Sequence, residues 1–196
     1  MHQLLEREDR GIRILLRFLR LHEHTQLLLV TAHRRENWGE PLHQICQALL
    51  RLCEAQPDLQ IVFPVHKNPV VRDIVYPALE AHPRIHLVEP LDYVNLMDTM
   101  RRSRLVLTDS GGLQEEAPAL GKPVLVMRET TERPEGVSAG TARLVGTEVA
   151  SIVEATLHLL QDAAAYEQMS RAINPYGDGT AAAQIVAALQ DYFFRD

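Results

Sequence analysis

Short apolar runs alternate with amphipathic segments along this chain, and the alternation restricts the folds open to it. Six runs are apolar on both faces of an extended strand, and helical patterns lie between them. Strands buried on both faces are typical of a parallel sheet covered by helices on each side. The sequence therefore predicts an α/β fold built on a doubly wound, Rossmann-like parallel sheet. The predicted strands are 27–32, 60–65, 85–88, 105–108, 123–127 and 142–145, and the predicted helices are 41–56, 69–81, 93–102, 112–120, 148–162, 165–172 and 180–194.

The leading segment differs from this pattern. Residues 2–24 (HQLLEREDRGIRILLRFLRLHEH) have helical periodicity but precede the first strand. The segment is either a helix that joins the domain to something earlier or an ordinary first helix packed on the sheet. We therefore divide the chain into a leading helix or linker, 1–25, and a Rossmann-like domain with C-terminal helices, 26–196.

Composition excludes several classes of protein. The chain has 196 residues, 46% of them hydrophobic, which is enough for one buried core. A net charge of −6 and an aromatic content of 5% argue against nucleic-acid binding. There is no secretory signal and no apolar run of about 18 residues, so no membrane span is expected.

Cys46 and Cys53 are about 10.5 Å apart along a predicted helix, too far for a disulfide. Reduced thiols indicate the cytoplasm.

Polar residues follow each of the first five predicted strands. In open parallel sheets, ligands bind beyond the carboxyl ends of the strands, where the connecting loops collect. Loops there that carry His, Arg, Glu, Ser and Gly predict a binding edge rather than simple connections. These loops are 33–41, 66–69, 89–95, 109–112 and 128–136.

The stretch 107–136 (LTDSGGLQEEAPALGKPVLVMRETTERPEG) is the most specific of these features. Ser110 falls at a helix N-cap, and Gly111 and Gly112 open the helix, so that free N–H groups face an anion. Glu116 lies about 1.5 turns along and can accept two sugar hydroxyls, whereas Glu115 should face a different direction. The alternative is a simple serine cap beside two solvated glutamates. No P-loop or dinucleotide-binding glycine motif occurs, which disfavours NAD and ATP hydrolysis, and no cofactor is predicted.

Two histidines occupy equivalent strand ends. His33 can bind a phosphate or sugar, act as an acid or base, or serve only as a structural hydrogen-bonding group. Arg34 and Arg35 should serve different partners, or one of them pairs with Glu36. His66 follows the second strand, but the ligand spacing of a metal site is missing, so no metal is predicted.

Tyr93, in the loop after the third strand, has two interpretations. Its ring either stacks on a nucleotide base or belongs to the core. The neighbouring VNLM segment favours the core.

Taken in order, these residues resemble the carboxyl-terminal half of the non-hydrolysing UDP-N-acetylglucosamine 2-epimerases. The resemblance implies one half of a GT-B architecture, in which two Rossmann-like domains enclose the active site and the carboxyl-terminal domain holds UDP. It also implies interconversion of UDP-GlcNAc and UDP-ManNAc, a cytoplasmic homodimer and a place in polysaccharide biosynthesis. The matching motifs are TAHRREN, PVHKNP, EPLDY, the whole of 107–136 and NPYGDG.

The resemblance also implies a role for each matching residue. His33 corresponds to a catalytic histidine that reaches into the cleft. Glu116 corresponds to the acceptor of the ribose hydroxyls. The diphosphate would lie on Ser110, Gly111 and Gly112, with Arg133 as a further substrate-binding arginine. Arg34 and His66 match residues that bind a second UDP-GlcNAc as an allosteric activator.

Catalysis in that family also needs carboxylates from an amino-terminal domain, and this chain begins just before the second domain. Removal and return of the C2 proton is acid–base work that requires positioned carboxylates. The chain is therefore expected to bind UDP or UDP-GlcNAc and to be inactive without the missing amino-terminal domain. Two alternatives are a stand-alone UDP-sugar-binding or regulatory module and half of a hydrolysing epimerase or another GT-B glycosyltransferase.

Overall fold

A six-stranded parallel sheet forms the centre of the molecule. The computed structural model describes residues 26–194, so the leading segment 1–25 lies outside the described residues. The strands run in the order β3-β2-β1-β4-β5-β6, and every neighbouring pair is parallel. This order confirms the predicted Rossmann-like sheet. The strands are β1 (Gln26–Thr31), β2 (Leu59–Pro64), β3 (Ile85–Val88), β4 (Leu105–Thr108), β5 (Val124–Val126) and β6 (Ala142–Leu144).

Each strand lies within two residues of its predicted bounds, and so do most helices. A short 3-10 helix (Arg35–Asn37) and a short helix over Pro134–Ala139 were not predicted, and both lie in loops at the carboxyl edge of the sheet. The helices are α1 (Glu40–Ala55), α2 (Pro69–Leu79), α3 (Tyr93–Arg102), α4 (Gly111–Ala119), α5 (Pro134–Ala139), α6 (Val149–Gln161), α7 (Ala163–Ser170) and α8 (Ala181–Phe194).

The core has one layer on each face of the sheet. Leu105 and Leu107 of β4 belong to the larger cluster, which includes buried side chains of α1, α2 and α6. Val106 belongs to the smaller cluster, together with Met100 of α3 and Leu113 of α4. Because successive strand residues point to opposite faces, both sets must be apolar. This explains the continuous apolar runs of the sequence.

The two cysteines lie inside the larger layer. Cys46 and Cys53 are buried on α1 and form no disulfide. Burial raises the pKa of Cys46 to about 12 and that of Cys53 to about 11. Both thiols therefore stay protonated and unreactive at neutral pH.

Helix α8 differs from the core helices α1, α2 and α6 in its exposure. Its side chains from Ala181 to Phe193 are all exposed. The large apolar residues exposed on α8 are Ile185, Val186, Leu189, Tyr192 and Phe193.

No helix within residues 26–194 has the length and apolar content that a membrane crossing needs.

Candidate functional site

A cavity of about 320 Å³ lies at the carboxyl ends of β1 and β4. The connections leave these two strands in opposite directions along the sheet, and such a switch point is where ligands of doubly wound sheets bind. The structure brings together here most of the polar residues predicted from the sequence. Its lining residues include His33, His66, Ser110, Gly112 and Glu116, and its apolar walls include Pro64, Pro90, Leu91, Leu96 and Leu113.

The start of α4 forms one wall of this cavity. Ser110 is the N-cap, as predicted, but its hydroxyl makes no capping hydrogen bond. Its backbone N–H donates to the Thr108 hydroxyl at 2.9 Å, and its carbonyl accepts from Gln114 at 3.1 Å. These contacts fix the Ser110 backbone and leave its hydroxyl, with the N–H groups of the first helical turn, available to an anion.

The two glycines after Ser110 have different surroundings. A Cβ on Gly111 would lie 2.5 Å from Oε1 of Glu132 and 3.3 Å from Nη2 of Arg34. A Cβ on Gly112 would meet nothing closer than the Ser110 hydroxyl at 4.0 Å. Gly111 therefore makes room for an ion pair, whereas Gly112 keeps the wall of the cavity open.

The adjacent glutamates of α4 diverge, as predicted. Glu116 lines the cavity, and partial burial, with a contribution from the Glu115 charge, raises the pKa of its carboxyl. Glu115 instead accepts a hydrogen bond from Nε of Arg133. Only Glu116 is thus placed to meet a ligand in this cavity.

Arg133 lies immediately before α5, at its N-cap position. Besides its pairing with Glu115, it donates to the carbonyl of Glu132 at 3.1 Å. It is not among the residues lining the cavity of about 320 Å³. The predicted substrate-binding arginine is therefore held by α4 at the edge of the site.

Asp109 is a buried carboxylate for which no role was predicted from the sequence. Its Oδ2 accepts from the backbone N–H groups of His33 and Arg34, each at 2.8 Å. It also accepts from the Asn37 amide at 3.1 Å, and that amide bonds the Met127 carbonyl as well. Asp109 and Asn37 therefore join the loop after β1 to the ends of β4 and β5. The available signal was an aspartate directly after an apolar strand.

The rings of His33 and His66 stack, with centroids 5.7 Å apart and an interplanar angle of 18°. Nδ1 of His33 lies 3.2 Å from Oδ1 of Asp109. Nδ1 of His66 accepts from the backbone N–H of Asn68 at 3.2 Å. The two strand-end histidines are therefore in contact. The sequence predicted only that they lie at the same edge of the sheet.

A second hollow, of about 470 Å³, shares both histidines with the first. Its other lining residues are Arg34, Arg35, Glu36, Trp38 and Asn68.

The adjacent arginines Arg34 and Arg35 have different partners, as predicted. Nη2 of Arg34 lies 2.8 Å from Oε1 of Glu132, whereas the Arg35 guanidinium lies 5.9 Å from the centre of the Trp38 ring. The suggested pairing of one of them with Glu36 is wrong, because Glu36 pairs with Arg128.

These charges form a chain that connects the loops after β1 and β5. Arg128 binds both Glu36 and Glu132, and Glu132 also binds Arg34. A hydrogen bond from its own backbone N–H, followed by the contact with Arg128, lowers the pKa of the Glu132 carboxyl. Glu132 therefore remains ionised at neutral pH and neutralises Arg34.

Tyr93 is the first residue of α3 and is 64% exposed. Its interpretation as a core residue is therefore wrong, because burial would leave little of the ring accessible. The ring is not among the residues lining the cavity, and its stacking on a base stays a prediction.

Another hollow, of about 340 Å³, lies at the ends of β5 and β6. Its lining holds three glutamates and two arginines, so the carboxylates outnumber the cations and a phosphate ligand is disfavoured; these residues are Glu129, Glu148, Glu154, Arg128 and Arg143. Within residues 26–194, no group of three or more His, Cys, Asp or Glu side chains is arranged to hold a metal ion.

Comparisons with known proteins identify the family of the chain. A family model described as UDP-N-acetylglucosamine 2-epimerase matches residues 5–190. A probable UDP-N-acetylglucosamine 2-epimerase of Ralstonia nicotianae is 56% identical over 168 residues, which are 86% of this chain and 45% of that protein. The UDP-N-acetylglucosamine 2-epimerase of Escherichia coli is 52% identical over 85% of this chain and 44% of its own.

Solved structures give the same result. The UDP-GlcNAc 2-epimerase of Neisseria meningitidis bound to UDP-GlcNAc superposes with a TM-score of 0.85 at 42% identity, covering 93% of this chain and 49% of that one. The MnaA–UDP structure from S. aureus superposes with a TM-score of 0.82 at 48% identity, covering 86% and 46%. The chain spans about half the length of these relatives, and it belongs to the UDP-N-acetylglucosamine 2-epimerase family.

Proposed function

We propose that this chain is the UDP-binding half of a UDP-GlcNAc 2-epimerase and that it holds the diphosphate at the start of α4. The proposal rests on the Ser110 hydroxyl, which makes no capping hydrogen bond. It lies beside the free N–H groups of the helix, at the switch point of the sheet. The helix dipole alone favours a negative charge there by about 0.3–1 kcal/mol. Relatives of known structure bind UDP and UDP-GlcNAc, which supports the same ligand class.

The remaining cavity residues suit the other parts of a uridine nucleotide. Glu116 offers carboxylate oxygens to the two ribose hydroxyls, about one and a half turns beyond the diphosphate. The apolar residues of the loop after β3, Pro90 and Leu91, suit the face of a base, with Tyr93 as a further stacking group. His33 is the group proposed to contact the reacting sugar, and Arg133 a further substrate contact.

The second hollow supports an allosteric role for Arg34 and His66. Both residues line it, and His66 also lines the first cavity. A second UDP-GlcNAc bound there would take Arg34 as a phosphate partner in place of Glu132. Its effect would reach the first cavity through the stacked histidines.

The proposed activity of the whole protein depends on two domains. We infer that a second, amino-terminal domain supplies the acid–base carboxylates for elimination and return of UDP at C1 and C2. A homodimer of the two-domain protein is part of the same proposal. The free, buried Cys46 and Cys53 support a reducing, cytoplasmic location.

Calorimetry with UDP and with uridine tests the site. UDP should bind clearly more tightly than uridine, because only UDP reaches the start of α4. The variant Ser110→Ala should weaken UDP binding about tenfold or more, since a hydrogen bond to a charged group contributes about 1.5–3 kcal/mol. Its thermal stability should stay unchanged because the hydroxyl caps nothing. Equal affinities for UDP and uridine would remove the diphosphate from this position.

Deuterium incorporation tests the division of labour between the two domains. The purified chain is incubated with UDP-GlcNAc in deuterated water, and C2 of the recovered sugar nucleotide is examined by NMR. We expect no incorporation by this chain alone and incorporation after the amino-terminal domain of a relative is added. Incorporation at an enzymatic rate by the chain alone would place a catalytic base on it and contradict the proposal.

A further inference from the structure

We propose that Asp109 is a positioning residue that holds His33 in the tautomer protonated at Nδ1, so that the stacked His33 and His66 offer one acceptor and one donor nitrogen to the site. The histidines' role toward a sugar nucleotide rests on the proposed function. The tautomers themselves rest only on contacts within the chain.

One oxygen of the Asp109 carboxylate already accepts three hydrogen bonds, and the other needs a donor. Oδ2 already accepts from His33 N, Arg34 N and Asn37 Nδ2, at 2.8, 2.8 and 3.1 Å. Oδ1 is buried and makes no hydrogen bond in the structure, and Nδ1 of His33 lies within ion-pair distance of it, 3.2 Å away. Leaving a buried carboxylate oxygen without a donor is costly. A proton on Nδ1 of His33 meets this need.

That proton determines what His33 presents to a ligand. In a neutral imidazole only one nitrogen carries hydrogen, so Nε2 of His33 keeps its lone pair. The backbone N–H of the same residue also donates to Asp109, which holds the His33 backbone beside the carboxylate. His33 therefore enters the site as a hydrogen-bond acceptor.

His66 has the opposite tautomer. Its Nδ1 accepts the Asn68 N–H at 3.2 Å, so the proton of the neutral ring must lie on Nε2. Its ring is nearly parallel to that of His33, at 18°, and both rings line the same cavity. An acceptor and a donor side by side complement a group that both donates and accepts, such as a hydroxyl.

Long-range 15N–1H NMR of the ligand-free chain reads both tautomers directly. The spectra are recorded at about pH 8.5, well above the ordinary imidazole pKa of about 6.5. In the wild type, Nε2 of His33 should resonate as an unprotonated nitrogen and Nε2 of His66 as a protonated one. His33→Gln and His66→Gln assign the signals.

The variant Asp109→Asn should reverse the His33 tautomer. The asparagine oxygen can keep the three hydrogen bonds that Oδ2 accepts, which turns its NH₂ group toward Nδ1 of His33. A donor in that position requires an unprotonated Nδ1, and the proton moves to Nε2. His66 should not change, so it serves as an internal control. Asp98→Asn, which removes a carboxylate of α3 that pairs with Arg101 and Arg102, is the charge control and should leave both rings unchanged.

Two results would overturn the inference. One is a wild-type His33 protonated at Nε2, which decides the matter even where Asp109→Asn does not fold. The other is a folded Asp109→Asn variant with an unchanged His33 signal. Calorimetry with UDP on the same wild-type sample separates this inference from the proposed function. Expected tautomers without UDP binding remove UDP as the ligand and leave the link between Asp109 and His33 in place.

Discussion

Glu115 of α4 holds the guanidinium of Arg133 at the entrance to α5, so the arginine predicted to bind substrate already has a carboxylate partner. The neighbouring Glu116 faces the cavity instead. Two glutamates that are adjacent in sequence therefore serve different purposes, one toward an arginine and the other toward a ligand.

Ribose discrimination should distinguish these two glutamates. Glu116→Gln should weaken binding of UDP more than binding of 2′-deoxy-UDP, by about three- to tenfold, because a carboxylate makes stronger hydrogen bonds to hydroxyls than an amide does. Glu115→Gln should leave the ratio of the two affinities at its wild-type value. Calorimetry with both nucleotides measures the ratios, and equal behaviour of the two variants would show that the wrong glutamate was assigned to the ribose.

Glu116 should also reduce stability at neutral pH. Burial raises its folded-state pKa, so its ionised form is disfavoured by folding. This cost is absent below the unfolded-state pKa of about 4.3 and grows as the pH rises toward the folded-state value. Glu116→Gln should therefore raise the melting temperature at about pH 7, and the gain should shrink as the pH falls to about 4. Thermal unfolding at both pH values checks this. A gain that is constant with pH would assign the effect to packing.

Alanine at the two glycines of α4 should separate fold from ligand binding. At Gly112 the new methyl group has room, so stability should hold or rise by up to about 1 kcal/mol. The methyl group narrows the diphosphate site, and UDP affinity should fall about tenfold. At Gly111 the methyl group would meet the carboxyl end of Glu132, so this side chain must shift and its pair with Arg34 is disturbed. Gly111→Ala should therefore be less stable than Gly112→Ala by urea unfolding. The reverse order would contradict the placement of Glu132.

Tyr176 should stabilise α5 from the NPYGDG segment. Its hydroxyl accepts the Gly136 N–H at 3.0 Å and lies 3.4 Å from the Arg133 carbonyl, so it satisfies an N–H that the helix leaves unpaired. Tyr176→Phe should lower the free energy of unfolding by about 1–2 kcal/mol in urea titrations. The exposed Tyr93→Phe is the control and should cost nothing measurable.

The pattern of apolar residues in the sequence was sufficient to predict the sheet. Strands such as β4 are apolar on both faces and so must be central. It also identified the strand ends, where Ser110 and His33 lie. The 3-10 helix and α5 were missed because they are too short for a periodic signal. Three further roles were missed for another reason, those of Asp109, Asn37 and Glu132. Each of these side chains bonds a partner more than 70 residues away in sequence, and only the folded structure shows that the two are close in space.

The strand order has a consequence for how the molecule opens. Within the sheet, β1 and β4 form the junction between the halves β3-β2-β1 and β4-β5-β6 and pair through four residues each, while α1 and α6 pack on each other across it. Asp109 and the Arg34–Glu132 pair span that same junction. A partial unfolding event that parts the halves would therefore dismantle the cavity while each half kept most of its own hydrogen bonds. Native-state hydrogen exchange should show the amides of His33 and Arg34 exchanging together, as one cooperative unit, and slowing together when the cavity is filled.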